Sequence, residues 1–158
     1  MTELIRLVER YVKIPAVSGA ERPLREQILN DLSGCCDCRV DPLGNILAVK
    51  KGASAAKVSV LLDAHMDEVG LIVTGVTERG FVRFAKVGGI DDRVLFGRRV
   101  RIGEVIGVLG GTPVHLLDEK AHKKVHKADD LLIDIGAKDR QDALQYVKPG
   151  DTAVFDTD

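Results

Sequence analysis

Leu4, Ile5, Leu7, Val8, Tyr11 and Val12 recur at the three-to-four spacing that lines one side of a helix, and Thr2 stands at the N-cap position. Pro15 ends this element, because the residue before a proline is driven out of the helical region. Ser18-Gly19-Ala20-Glu21 reads as a capping box for a second helix, with Leu24, Ile28 and Leu32 on its inner side and Gly34 as C-cap. Residues 36–41 and 46–50 read as two strands joined by the turn formers Asp41-Pro42-Leu43-Gly44-Asn45. After a loop at 52–56, the apolar run 58–64 places Val58, Val60, Leu61 and Leu62 on both faces. That pattern predicts a central strand covered by helices on both sides.

Beyond Gly70 the pattern changes to short β-branched runs at 71–76, 81–87, 94–102, 104–109, 131–135 and 152–155. Turn formers divide them at Glu78-Arg79-Gly80, Gly88-Gly89, Gly103, Gly110-Gly111-Thr112-Pro113 and Pro149-Gly150-Asp151. Such spacing predicts a small β-barrel or sandwich. Residues 139–146 read as one short helix with Ala143 and Leu144 facing in. The expected organisation is an α/β layer in 1–70 and a β-rich module in 71–158.

With 45% apolar and 30% charged residues, the composition is that of an ordinary globular protein. A net charge of −1 draws the chain neither to nucleic acid nor to anionic membrane. The absence of Trp removes the stacking surface that single-stranded nucleic acid uses. No apolar run approaches the roughly 18–20 residues of a membrane span, and the first residues do not pattern as a signal peptide. A cytoplasmic home is expected. Cys35, Cys36 and Cys38 have no second Cys/His cluster to complete a zinc site, so they read as reduced cysteines, with a soft-metal or redox site as the alternative.

The candidate chemistry sits at the end of the 58–64 run, where Asp63, His65, Asp67 and Glu68 follow one another before Gly70. Ligands gather outside the carboxyl ends of strands in open α/β sheets. A histidine there offers a neutral imidazole to a divalent ion, and its second ring nitrogen then needs an acceptor. Asp67, two residues on, projects to the same side if the chain stays extended. The alternative is a histidine satisfied by Asp67 at an ordinary strand-to-loop junction. His122 and His126 have helical i, i+4 spacing but lack the glutamate of zinc proteases, and the surrounding lysines favour an exposed basic segment; His115 stands apart. Gly107–Gly111 lacks the Gly-Lys-Ser/Thr end of a phosphate loop, and neither Ser18 nor Ser59 has a neighbouring His/Asp arrangement that marks a nucleophile.

The segment 61–73, Leu-Leu-Asp-Ala-His-Met-Asp-Glu-Val-Gly-Leu-Ile-Val, resembles the first metal motif of the M42 metallo-aminopeptidases, some of which carry a glucanase label. The resemblance extends to Ser18-Gly19-Ala20-Glu21, Asp41 to Asn45, Gly88-Gly89-Ile90, Asp134 to Lys138 and Pro149-Gly150-Asp151, in order along essentially all 158 residues. It implies a zinc-aminopeptidase-type α/β catalytic domain, begun by 1–70 and interrupted by an inserted PDZ-like β-barrel in 71–158, with the path returning near 155–158. It implies His65 as a metal ligand and Asp67 as the catalytic-site carboxylate that positions it. It also implies two divalent ions, zinc or cobalt, a glutamate as general base, short peptide substrates, and homo-oligomers from dimers to dodecamers. No nucleic-acid or membrane partner is implied.

The family's other ligands, an Asp-Asp-Arg motif among them, lie after the inserted domain. Asp91-Asp92-Arg93 is similar to that motif only in letters, because it falls among the barrel strands. The expectation is an aminopeptidase portion inactive as this chain alone; the alternative is a non-catalytic relative acting as an assembly module.

Overall fold

The computed structural model describes residues 2–52, 58–111 and 126–156. The chain divides into two compact units, Met1–Glu68 and Val69–Asp158. Among the described residues no helix is long and apolar enough to cross a membrane.

The first unit contains α1 (Glu3–Val12), α2 (Arg22–Leu32) and a two-stranded hairpin of β1 (Asp37–Val40) and β2 (Ile46–Val49). The α1 periodicity forms the predicted helix, but none of its residues is buried, and Leu4 and Val12 are 67% and 71% exposed. Polar contacts tie α1 to α2. Arg10 reaches Asp31 Oδ2 at 2.5 Å, and the Tyr11 hydroxyl donates to the same oxygen at 2.8 Å. The Tyr11 bond, supported by Gln27 and Arg10, holds the Asp31 carboxyl below its ordinary range.

The predicted capping box does not form. α2 starts at Arg22 with Pro23 in its first turn, where the missing N–H costs nothing. Glu21 turns back to accept the Gly19 N–H, and the Ser18 hydroxyl bonds to Asp67 instead. As an N-cap the hydroxyl oxygen would accept a backbone N–H; here the hydroxyl donates its proton to a carboxylate. At the other end Ser33, not Gly34, is the C-cap. The hairpin matches its prediction, with Asp37 opposite Val49 and Val40 opposite Ile46. Asp41 builds its turn: Oδ1 accepts the N–H groups of Leu43 and Asn45, both at 2.9 Å, and Oδ2 accepts the Asn45 side-chain amide at 2.9 Å.

Residues 58–64 do not form the predicted central strand, and among the described residues of the first unit the only sheet is the β1–β2 hairpin, not the helix-covered sheet expected of 1–70. Val58, Val60, Leu61 and Leu62 are 76–90% exposed. A strand exists only through its neighbours, and among the described residues 58–64 pairs with none; the first bridge comes beyond it, a parallel one between Val17 and Glu68.

The second unit is a closed six-stranded barrel of β3 (Gly70–Val76), β4 (Val82–Val87), β5 (Arg99–Ile102), β6 (Val105–Gly110), β7 (Leu132–Asp134) and β8 (Thr152–Phe155). Around the barrel the order is β3-β4-β7-β6-β5-β8, and β8 pairs back onto β3 through Leu71 and Ala153. Closure leaves no open sheet edge. Alternation sends Val82 and Phe84 of β4, Val100 and Ile102 of β5, and Leu109 of β6 inward, onto a core shared with Leu71, Val73 and Ile133. Gly103, at φ +57, makes the tight β5–β6 turn that a side chain would strain.

Two predicted elements shorten. The run 94–102 opens with a single 3-10 turn at Asp92–Val94 and becomes a strand only at Arg99. Asp91 caps that turn, and Gly97 at φ +77 interrupts the extended path. The helix over 139–146 is confined to α3 (Arg140–Ala143), started by an Asp139 side chain that accepts the Asp142 N–H at 2.9 Å. Ala143 faces in as predicted, whereas Leu144 is 44% exposed and Val147 is buried in its place.

Candidate functional site

His65 lies on the irregular segment that leads to Glu68, where the backbone is captured by the 16–18 stretch. Its ring is held on one side only. Nδ1 faces the Asp67 backbone oxygen at 2.9 Å and the Asp67 carboxylate Oδ1 at 3.1 Å. Both are acceptors, so the neutral ring carries its proton on Nδ1 and leaves Nε2 as the basic nitrogen. The His65 side chain is 84% exposed. The ring is thus oriented and accessible, which is the arrangement a metal-binding imidazole requires.

Asp67 is itself held. The Ser18 hydroxyl donates to its Oδ2. That hydroxyl first, and the His65 ring after it, keep the Asp67 carboxyl below the ordinary carboxylate range. Glu68 serves a different purpose: Oε1 accepts the Ala16 N–H at 3.0 Å, and its own N–H donates to the Ala16 oxygen at 2.8 Å. It clamps the chain and is not aimed at His65. Asp63 is exposed.

These residues border a shallow cleft of about 170 Å³ between the start of α2, the β1–β2 turn and the His65 segment. Glu21, Arg25 and Asn45 face it beside His65 and Asp67. Gly44 lets the turn pass close to Arg25: its φ is +93, and a β-carbon there would stand 2.7 Å from Arg25 Nη1. The donor set fits one ligand of a divalent ion and not a whole site. Among the described residues no group of three His, Cys, Asp or Glu side chains is placed to hold a metal, and a catalytic zinc normally takes three protein ligands.

The Asp-Asp-Arg stretch belongs to the second unit. Arg93 pairs with Asp91 through Nε and Nη2, and Lys86 reaches Asp92 at 2.5 Å, so both carboxylates of the Asp-Asp-Arg stretch are engaged within the barrel unit. Arg93 holds the Asp91 carboxyl down to about 2. His126 stacks on Phe96 with ring centroids 4.8 Å apart; its i, i+4 partner His122, like His115, lies outside the described residues. Cys35, Cys36 and Cys38 are free thiols, with the first two sulfurs 3.6 Å apart.

The Ser18 contact escaped the sequence. Ser18 and Asp67 are 49 positions apart, and the only local signal at Ser18 was its fit to a helix cap.

The family model of the M42 glutamyl aminopeptidases matches residues 44–158. A lysyl aminopeptidase of Pyrococcus furiosus is 36% identical over 146 residues, covering 87% of this chain and 41% of that protein. Among solved structures, the Pyrococcus horikoshii TET1 peptidase, described as assembling into a tetrahedron or a large octahedral shell, superposes with a TM-score of 0.84 at 43% identity, over 97% of this chain and 46% of that one. The PhTET1 dodecamer superposes with a TM-score of 0.83 at 42% identity, over 100% of this chain and 47% of that one. The chain spans less than half the length of the curated relatives it matches.

Proposed function

Because the chain belongs to the M42 glutamyl aminopeptidase family, we propose that it forms the beginning of a dimetal aminopeptidase that removes N-terminal residues from short peptides. The observation that carries this reading is the His65 ring, held through Nδ1 by Asp67 with Nε2 turned outward. In this reading His65 is a ligand of a divalent ion, zinc or cobalt, and Asp67 sets its orientation and tautomer. Two such ions, when bound, would supply Lewis acidity toward a peptide carbonyl and would ease loss of a proton from water, giving the hydroxide that attacks it. The residues of this chain orient one ligand and shape one wall of the cleft. The remaining ligands and the general base come from sequence that the longer relatives have and this chain does not span.

We assign the first unit to the α/β catalytic domain and the second to an inserted PDZ-like barrel that mediates homo-oligomer assembly. The likeness to shell-forming peptidases supports the assembly role. So do Ile106 and Val108, which leave β6 with two apolar side chains 49% and 44% exposed. This also supports the alternative reading of an assembly module without catalysis. Three free thiols in one short stretch fit a reducing compartment such as the cytoplasm.

The test is an assay of this chain with zinc or cobalt against a panel of aminoacyl substrates, beside zinc binding followed at the His65 ring. No metal-dependent turnover is expected, together with zinc-induced shifts of the His65 resonances that vanish in His65→Ala. Substantial turnover would refute the inactivity, and unshifted His65 resonances would refute the ligand assignment.

A further inference from the structure

We propose that Ser18 is a positioning residue for His65: its hydroxyl fixes the Asp67 carboxylate, and the carboxylate fixes the imidazole with Nε2 facing outward. The inference rests on the reading of His65 as a ligand and adds to it the residue that orients the orienting group.

Asp67 alone is a weak guide for the ring. The Asp67 backbone oxygen meets Nδ1 at 2.9 Å and its carboxylate meets it at 3.1 Å, but with the Asp67 side chain 40% exposed and the ring 84% exposed, the carboxylate contact by itself leaves that side chain free to turn. The Ser18 hydroxyl removes that freedom. It takes Oδ2 while Oδ1 meets Nδ1, so each carboxylate oxygen has its own partner and the plane of the group is set. Because Ser18 donates, the bond favours the ionised carboxylate, which is the form that accepts from Nδ1–H.

Ser18 is also on firm ground. Ala16 and Val17 are 2% and 0% exposed. The two backbone and side-chain bonds between Ala16 and Glu68 zip this stretch to the residue that follows Asp67. On the other side, Gly19 at φ +89 turns the chain, Glu21 accepts its N–H at 2.6 Å, and the Ala20 N–H closes on the Val17 oxygen at 2.7 Å. The hydroxyl is therefore presented by a built turn. The glycine and the glutamate that looked like parts of a helix cap hold that turn.

A purely structural role for Ser18 would alter stability and leave the ring's proton where it is. Long-range ¹⁵N–¹H correlation spectra of the metal-free ¹⁵N-labelled chain at pH about 8, above the ordinary histidine range, read that proton directly. A single His65 tautomer with the proton on Nδ1 is expected in the unaltered chain. Ser18→Ala should lose it to a mixture of both tautomers, and Ser18→Thr, which keeps the hydroxyl, should restore it. An unaltered chain protonated on Nε2, an unchanged tautomer in Ser18→Ala, or no restoration by Ser18→Thr would overturn the inference. Should Ser18→Ala unfold the first unit, the side-chain couplings of Ser18 in the unaltered chain decide: one fixed rotamer supports the inference and rotamer averaging overturns it. Zinc chloride added to the unaltered chain tests the underlying reading separately, since a missing Nε2 response removes the ligand assignment without touching the tautomer result.

Discussion

Replacing Gly107 by alanine puts one methyl group where the barrel has no room for it. Gly107 sits inside β6 opposite Val100, and an added β-carbon would lie 2.5 Å from Ile133 Cγ2, 3.0 Å from Ile135 Cγ2 and 3.1 Å from the Asp134 backbone oxygen. Carbon–carbon contacts are favourable at about 3.5–4.0 Å, so the first contact is about 1 Å too short. Ile133 has 0% exposure and is packed within the core, and the Asp134 oxygen belongs to the neighbouring strand. Overpacking of this kind costs about 1–3 kcal/mol. Alanine recovers about 0.5–1 kcal/mol of backbone entropy relative to glycine. With backbone as well as side chain in the way, the net loss should be about 1–2 kcal/mol, or roughly 5–15 °C in Tm for a domain of this size class.

Gly110, at the other end of the same strand, is the control. Among the described residues nothing stands within 4 Å of its added β-carbon, and its φ is not positive. Gly110→Ala should stabilise by about 0.4–1 kcal/mol. Urea unfolding followed through the barrel methyl resonances gives both values, isolated from the first unit. A Gly107→Ala barrel as stable as the original, or the same sign of change at both glycines, would refute the claim that packing against β7, and not backbone freedom, requires Gly107.

Three further outcomes follow from the geometry. Arg93 depresses the Asp91 carboxyl to about 2, so the stability this pairing adds is complete above the ordinary Asp value of about 3.9 and is lost as pH falls through about 2; a ¹³C carboxyl titration should show that midpoint, and Arg93→Ala should raise it only part of the way to the ordinary value, because the backbone N–H of residue 93 still donates to Asp91. Asp41→Ala removes the acceptors of the Leu43 and Asn45 N–H groups, and amide exchange at those two positions should accelerate while the barrel amides keep their protection. The exposed Leu4, Val8, Leu61 and Leu62 of the first unit should make the isolated chain self-associate as its concentration rises, and Leu61→Glu with Leu62→Glu should reduce it; a monodisperse monomer by light scattering would count against this.

What could be read from the sequence was what neighbouring residues settle among themselves. The α1 and α2 periodicities, the Asp41 turn and most of the barrel strands rest on spacings of a few residues, and each formed near its expected place. The meeting of His65 and Asp67 was legible for the same reason, since residues two apart on one segment have few ways to miss. Gly97 and the Asp91 cap broke up one predicted strand through signals that were local but outweighed by the apolar run around them.

Tertiary structure alone decided the rest. An apolar run such as 58–64 becomes a strand only when another backbone supplies the hydrogen bonds, and no pattern within the run contains that information. Closure of the barrel depends on β8 meeting β3 across most of the second unit. Ser18 had two possible partners, a helix N-terminus beside it and a carboxylate 49 positions away, and the fold brought the charged one within reach. A hydroxyl gives its one proton to an acceptor that the fold brings near, which its place in the sequence does not reveal.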